Sequence, residues 1–260
     1  MRASILILSE DSAKDAHATV CVLARRMLRL IQPDYVENDV VFLPLGAESA
    51  DAQRAVQGNR WDSRDARGQT WRIALIRTLA TRVLAGENSF VFYHIDGDQP
   101  WKERKRSEKL SKFERFRDEI ARHAEALKQD MDPVEIRAAV RDRLQLLTPF
   151  YCIEAWLYQN TEQAITLCIR HYQGRHRDRF EQWGQDRELL DEVVKPKEQV
   201  ELAGKHNCEL AKQGFPSQAV YAAGKSFAAT VDRLKACQGL VKVLQPAWQA
   251  AALAPSVSKG

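Results

Sequence analysis

An α/β fold, with a mostly parallel sheet flanked by helices, is what this sequence predicts, and three observations carry the expectation. Short apolar runs, Ile5-Leu6-Ile7-Leu8, Val40-Val41-Phe42-Leu43, Phe90-Val91-Phe92-Tyr93-His94-Ile95 and Phe150-Tyr151-Cys152-Ile153, recur through the first 150-odd residues. They are short for helices and lack polar alternation, as strands buried on both faces do. Segments of helical spacing separate them, the alternation that marks a parallel sheet with crossover connections. Three of the runs also stop on acids, at Glu10, Asp96-Gly97-Asp98 and Glu154. In an open parallel sheet the carboxyl ends of the strands share one rim, so these acids can converge.

Taken in order, residues 4–9 read as the first strand. Residues 11–32 read as a helix carrying Val20, Leu23, Met27, Leu30 and Ile31 on one stripe, with Asp11 or Ser12 as cap. The second strand ends at Pro44, and a polar stretch with Gly46, Gly58 and Gly68 leads to a helix over 70–85. The third strand, 89–95, stops at Asp96-Gly97-Asp98-Gln99-Pro100, where Gly and Pro end both strand and helix. Residues 102–146 read as a basic helical insertion broken at Asp132-Pro133, the fourth strand falls near 148–153, and a helix runs from Glu154 to about Tyr172. The sequence thus divides into an α/β core over 1–158 and a mainly helical region over 159–260. The latter is broken at Gly174, Pro196, Gly214-Phe215-Pro216 and Gly239 and ends in an Ala/Pro/Ser/Gly-rich tail expected to fray after 250.

Composition removes several function classes. With 260 residues and 45% apolar content a real core is expected. No apolar run of about twenty residues is long enough to span a bilayer, and Met1-Arg2-Ala3-Ser4 enters a strand rather than a signal peptide. The expected location is the cytoplasm, away from membranes. Five scattered cysteines, Cys21, Cys152, Cys168, Cys208 and Cys237, form no C-x-x-C pair and read as reduced thiols. A net charge of +4 and a pI near 8.8 permit a nucleic-acid partner without demanding one. Ala223-Gly224-Lys225-Ser226 lacks the first glycine of a phosphate-binding loop, and neither Gly-x-Ser-x-Gly nor G-x-G-x-x-G is present.

The acids suit a hard divalent cation. Asp96 and Asp98 are two apart, so a strand continuing through them would send both side chains to one face, with Gly97 removing bulk between them. Mg²⁺ or Mn²⁺ takes oxygen ligands, usually a few carboxylates completed by water and phosphate. Glu10 can hold a second ion or act as general acid/base. Structural roles compete at each position: Asp-Gly is a common turn, and Glu10 and Glu154 can be first-turn helix acids favoured by the dipole. His94, inside an apolar strand, reads as a satisfied core histidine.

Glu10 after a first strand and Asp96-Gly97-Asp98 after a later one resemble the Glu and Asp-x-Asp motifs of TOPRIM domains. Those domains are shared by topoisomerases, primases and overcoming-lysogenization-defect nucleases. The resemblance covers roughly residues 3–155. Phe150-Tyr151-Cys152-Ile153-Glu154-Ala155-Trp156-Leu157 further resembles the Glu-x-Trp-Leu element of small stand-alone TOPRIM-like proteins of bacterial defence loci, and Lys225-Ser226-Phe227 resembles their tail. One position departs: Asp11 stands where the family usually has glycine. The resemblance implies a Rossmann-like TOPRIM core with Glu10, Asp96 and Asp98 catalytic. Glu10, Asp96, Asp98 and Glu154 would hold Mg²⁺ or Mn²⁺, with Glu10 also the acid/base. It further implies a nuclease acting on DNA or RNA, the toxic effector of antiphage defence, controlled by an ABC- or SMC-type ATPase partner. A topoisomerase would need a strand-passage domain and a nucleophilic tyrosine, for which the chain is short.

Cations follow the Asp-Gly-Asp turn at once: Lys102, Arg104, Lys105 and Arg106 are the expected nucleic-acid contacts, with Lys109, Lys112, Arg115 and Arg117 beyond. Trp101, Phe113 and Phe116 interleave with them, and the i, i+3 spacing of the two phenylalanines reads as a buried stripe rather than a base-stacking surface. Arg170–Arg179 is a second basic stretch. Two other classes stay open at this level: a non-catalytic nucleic-acid or protein-binding module whose acids are structural or degenerate, and phosphoryl chemistry on a nucleotide. A homo-oligomer is compatible with any of the three.

Overall fold

Strands β1 (Ala3–Ser9), β2 (Val40–Leu43), β3 (Ser89–His94) and β4 (Leu144–Leu147) pair side by side in the order β2-β1-β3-β4, all parallel. The computed structural model describes residues 2–246 apart from 12, 14, 47, 48, 201 and 203. The period of two along each central strand sorts its side chains between two cores. Ile5, Ile7, Phe90 and Phe92 face one, and Leu6, Leu8, Val91 and Tyr93 face the other. That double burial is why these strands are continuously apolar.

The first core packs against α1 (Ala16–Ile31) through Val20, Leu23 and Met27, and against the C-terminal helices. The second packs against α2 (Ala50–Val56), α3 (Ala66–Leu84), α4 (Glu108–Leu127) and α5 (Pro133–Arg143). Beyond β4 come α6 (Glu154–Leu157), α7 (Thr161–Tyr172), α8 (Arg177–Gln185), α9 (Pro196–Gln199), α10 (Asn207–Lys212), α11 (Ser217–Ala222), α12 (Lys225–Ala236) and α13 (Gln238–Leu244). Trp156, Phe180, Trp183, Phe227 and Leu240 join the β1 and α1 residues in one core, so the C-terminal helices lie on the sheet.

The predicted α/β class holds, with local corrections. The fourth strand is Leu144–Leu147 rather than 148–153. Pro149 has no N–H to give a ladder, yet the segment still runs beside the end of β3. Ile95 N donates to Leu147 O (3.1 Å), Gly97 N to Pro149 O (2.9 Å) and Asp98 N to Tyr151 O (2.9 Å). The first helix starts at Ala16, not 11, because Asp11 spends its side chain on Ala13 N (2.9 Å). Ser12, the alternative cap, and the tail after 250 lie outside the described residues. The polar stretch after β2 holds α2, and α3 begins early because Asp65 caps it by accepting from Gly68 N (2.7 Å). The helix expected over 154–172 is two, parted at Tyr158–Asn160. The break at Asp132-Pro133 stands, with Asp132 as cap and Pro133 opening α5. Pro196 likewise opens α9, and Gly239 falls inside α13. Among the described residues no helix is long and apolar enough to cross a membrane.

The two motifs of the C-terminal half interlock. Trp156 Nε1 donates to Ser226 Oγ (2.7 Å), Ser226 N and Oγ donate to Asp191, and Trp156 meets Phe227 edge to face at 5.5 Å. Lys225, the residue of the incomplete phosphate loop, is occupied by Glu188 O (3.0 Å) and Glu192 (3.3 Å). Asp191 is 1% exposed, and burial pushes its carboxyl up to about 6 against the pull of Ser226. A carboxyl raised in the folded state stabilises the fold fully below its unfolded pKa of 3.8 and loses that contribution as pH rises through about 6. Urea denaturation should therefore show wild type losing up to about 3 kcal/mol relative to Asp191→Asn between pH 4 and 7. A difference constant across that range would mean that Asp191 titrates normally.

Candidate functional site

The chain leaves β1 toward β2 on one side and later places β3 on the other, so the strand order reverses direction between β1 and β3. Open α/β sheets bind ligands in the crevice at such a point, beyond the carboxyl ends of the strands. An open cavity of about 690 Å³ lies there, and Glu10, Asp96, Asp98 and Glu154 all line it. Asp11, Lys109, Lys112 and Lys197 share the same walls. The four acids expected to converge from three strand ends do converge on one cavity, by different routes.

Glu10 follows β1 directly, its N–H bonded to His94 O (3.3 Å) and its carbonyl accepting from Gly58 N (2.9 Å). Its carboxylate accepts from Asn59 Nδ2 and lies 3.1 Å from Lys109 Nζ. Asn59 is aimed by its neighbour: Trp61 Nε1 donates to Asn59 Oδ1 (3.1 Å), while the indole itself is buried and stacks on Phe116 at 4.8 Å. Gly58 and Asn59 both take left-handed backbone (φ 60 and 54), a conformation that Gly and Asn tolerate best.

Asp96 follows β3 by two residues, with its side chain 20% exposed and Oδ1 3.1 Å from Nε2 of the buried His94. The other ring nitrogen, Nδ1, is 3.2 Å from Ser9 Oγ; His94 is the core histidine expected, but only Nδ1 is satisfied, since Nε2 makes no well-aligned hydrogen bond. Burial pushes the Asp96 carboxyl up to about 6; His94 opposes this, and Glu10 and Glu154 add to it. Burial disfavours the His94 imidazolium in turn, but Asp96 outweighs it and raises the imidazole's pKa. The pair thus keeps a proton to higher pH than an isolated carboxylate would.

Asp96 and Asp98 are not carried by a continuing strand, since β3 ends at His94. Asp98 takes φ +54, and its exposed carboxylate reaches Lys109 Nζ at 2.7 Å. Gly97 between them sits in a close fit: a Cβ there would stand 3.0 Å from the Phe150 ring and 3.2 Å from Pro149 O, so a larger residue would force these neighbours to shift. Glu154 opens α6 rather than ending a strand; it is buried and accepts from Asn207 Nδ2 (3.1 Å). Burial, and after it Glu154, push the thiol of the neighbouring Cys152 far up.

Lys109 is the electrostatic centre of this cavity. Burial alone would depress its ammonium, but Glu10 and Asp98 outweigh that and hold its pKa above the ordinary value. Lys112 bridges Asp62 (2.8 Å) and Glu108 (3.1 Å). Lys197, from α9, is drawn up chiefly by Glu154. The expected contacts Lys102, Arg104, Lys105 and Arg106 lie in the turn Trp101–Arg106 and do not line the cavity. Arg104 instead covers Trp101 at 4.2 Å, and Trp101 abuts Phe150 at 5.1 Å. Phe113 and Phe116 are fully buried, as their spacing predicts. In the second basic stretch Arg170 pairs with Glu209 (3.5 Å) and Arg177 with Glu181 (2.6 Å), away from the cavity walls.

Sequence reasoning missed Asn59 and Lys197. Asn59 carried a weak signal, a Gly-Asn pair before a tryptophan; Lys197 carried none, because only packing of the C-terminal helices brings it to the rim. Compared with protein families, curated proteins and solved structures, the chain matches no family model, no curated protein and no solved structure.

Because Lys109 is the counter-ion of two acids, Lys109→Met should cost about 1–2 kcal/mol. Adding millimolar MgCl₂ should raise the melting temperature of the variant more than that of wild type. Equal shifts in the two proteins would show that Lys109 does not balance these carboxylates.

Proposed function

We propose that this protein is a Mg²⁺- or Mn²⁺-dependent phosphodiesterase of TOPRIM type that cleaves DNA or RNA. The observation that supports this best is the gathering of Glu10, Asp96, Asp98 and Glu154, with Lys109, Lys112 and Lys197, around one open cavity where the strand order reverses. The donors are all hard carboxylate oxygens. Asp96 Oδ1 is buried with His94 Nε2 3.1 Å away but no well-aligned hydrogen bond, and the same space already stabilises a cation in Lys109. Among the described residues no three His, Cys, Asp or Glu side chains stand together so as to hold a metal ion by themselves, so water and phosphate would have to complete the shell. This suits an ion that keeps part of its shell for water and phosphate.

When bound, such an ion polarises the phosphoryl oxygen and makes a nucleophile of water near neutral pH. The chain's own side chains do the rest. Asn59 fixes Glu10 to accept a proton from the attacking water or return one to the leaving oxygen. His94 orients Asp96, and the three lysines offset phosphate charge. By its resemblance to defence-locus proteins, the nuclease serves as an antiphage effector in the cytoplasm, restrained by an ABC- or SMC-type ATPase. That part rests on analogy alone.

The ion pairs of Lys109 with Glu10 and Asp98 favour one second reading, a self-neutralised site in a module that binds nucleic acid without cutting it. Incubation with single- and double-stranded DNA, RNA and free nucleotides separates these. Under the first reading, polynucleotide is cleaved with Mg²⁺ or Mn²⁺, chelator and Asp96→Ala abolish cleavage, and Glu10→Gln slows it on the order of 10²–10⁴-fold. Cleavage undiminished in Asp96→Ala would overturn the site assignment. Binding without turnover supports the module, and turnover of nucleotides alone supports the small-phosphate reading.

A further inference from the structure

A second depression of about 340 Å³ adjoins the acid cavity, and Asp62 and Lys112 stand in the walls of both. Its character is opposite. Arg64, Arg72, Lys112 and Arg115 line it against only Asp62 and Glu119. Two of these cations are committed to structure: Arg72 makes a two-pronged contact with Glu119 (2.8 and 3.1 Å), and Lys112 bridges Asp62 and Glu108. Arg64 and Arg115 are exposed and have no ion-pair or hydrogen-bond partner among the described residues. They come from different elements, Arg64 from the turn before α3 and Arg115 from α4.

The turn that carries Arg64 is braced from within. Ser63 Oγ donates to Asp65 (2.8 Å), Asp65 caps α3, and Gln69 Nε2 donates to Ser63 O (3.0 Å). A Cβ on Gly68 would stand 2.4 Å from the Ser63 side chain, so the glycine is what lets the turn fold back on the helix. Across the floor, Arg72 also donates to Trp61 O and covers the Phe116 ring at 5.0 Å. The two free guanidiniums therefore project from a fixed frame. Guanidinium suits phosphate, because its planar fork binds two oxygens at once.

We propose that this trough is a subsite for the phosphodiester backbone flanking the bond in the acid cavity, with Arg64 and Arg115 each taking one phosphate. The substrate is then a polynucleotide that enters past Lys112 and Asp62, not a mononucleotide held in the cavity alone. Assigning a nucleic acid rather than another polyanion rests on the phosphodiesterase reading of that cavity. The path also differs from the one the sequence points to, since Lys102 through Arg106 lie in the wall of neither depression as a group.

The test is equilibrium binding of a fluorescein-labelled 20-mer, single- and double-stranded, to the full chain in EDTA, followed by anisotropy over a salt series. Arg64→Glu/Arg115→Glu should weaken binding at least tenfold at about 100 mM salt. It should also flatten the slope of log K against log salt by about 1.4–1.8, the loss of two phosphate contacts. Lys128→Glu/Lys205→Glu reverses two exposed charges elsewhere on the surface and should change affinity less than twofold. Equal effects of the two double variants, or a wild type that binds neither oligonucleotide, would overturn the subsite. Circular dichroism and a melting curve matching wild type show that the trough variant is folded. Cleavage plays no part in the measurement. A wild type that binds through the trough but never cuts, with metal present, counts against the phosphodiesterase alone; one that cuts while the two variants bind alike counts against the trough alone.

Discussion

The parallel pairing of β1 with β3 is the constraint on which the rest depends. Six consecutive residue pairs, from Ser4 with Ser89 to Ser9 with His94, set the register. That register continues one step further as Glu10 N bonded to His94 O. A slip of one residue would invert every side chain of one strand, sending Ile5 and Ile7 to the face of α3 and α4. The same pairing brings Ser9, His94 and Asp96 into one chain of contacts. The ends of two strands far apart in sequence thus become neighbouring walls of a cavity.

Charge balance shapes what that cavity can do. Carboxylates gathered in a partly dry space repel one another, and the protein answers with three lysines from two directions. Lys109 and Lys112 come from α4, packed on one face of the sheet, and Lys197 from α9 in the C-terminal half. Asp96 shows the remaining tension, since burial and the nearby Glu10 and Glu154 hold its carboxyl toward the protonated form. A site that strains to keep its acids ionised is one where an added cation lowers the free energy. The adjoining trough has the opposite balance, with Arg64 and Arg115 lacking an ion-pair partner among the described residues.

Aromatic packing supplies the rigidity behind both sites. Trp61 is buried between Phe113 and Phe116, with Tyr93 of β3 beyond them. Its indole N–H reaches back to Asn59, so one side chain links the hydrophobic core to the carboxylate of Glu10. On the other face Trp156 plays a similar part, joining α6 to Ser226 and Asp191 two segments away. The start of α6, and with it Glu154, is thereby tied to the C-terminal helices.

Strand content, the α/β class and the acids at the rim were legible in the residues themselves, because hydrophobic periodicity and turn chemistry are local properties. Glu10, Asp96, Asp98 and Glu154 were found that way, and so was the buried stripe of Phe113 and Phe116. The fourth strand was placed near 148–153 because Phe150–Ile153 is as apolar as a strand; only the ladder, which ends at Leu147, shows otherwise. That Asp96 and Asp98 lie beyond the strand rather than along it follows from where β3 ends, at His94. Tertiary structure alone decided that Lys109 stands between Glu10 and Asp98, that Asn59 and Lys197 line or brace the same cavity, and that Arg64 and Arg115 meet in one trough beside it. Those outcomes depend on which helices pack on which face of the sheet, and contacts across 49, 99 or more residues of chain leave no pattern in any local stretch of it.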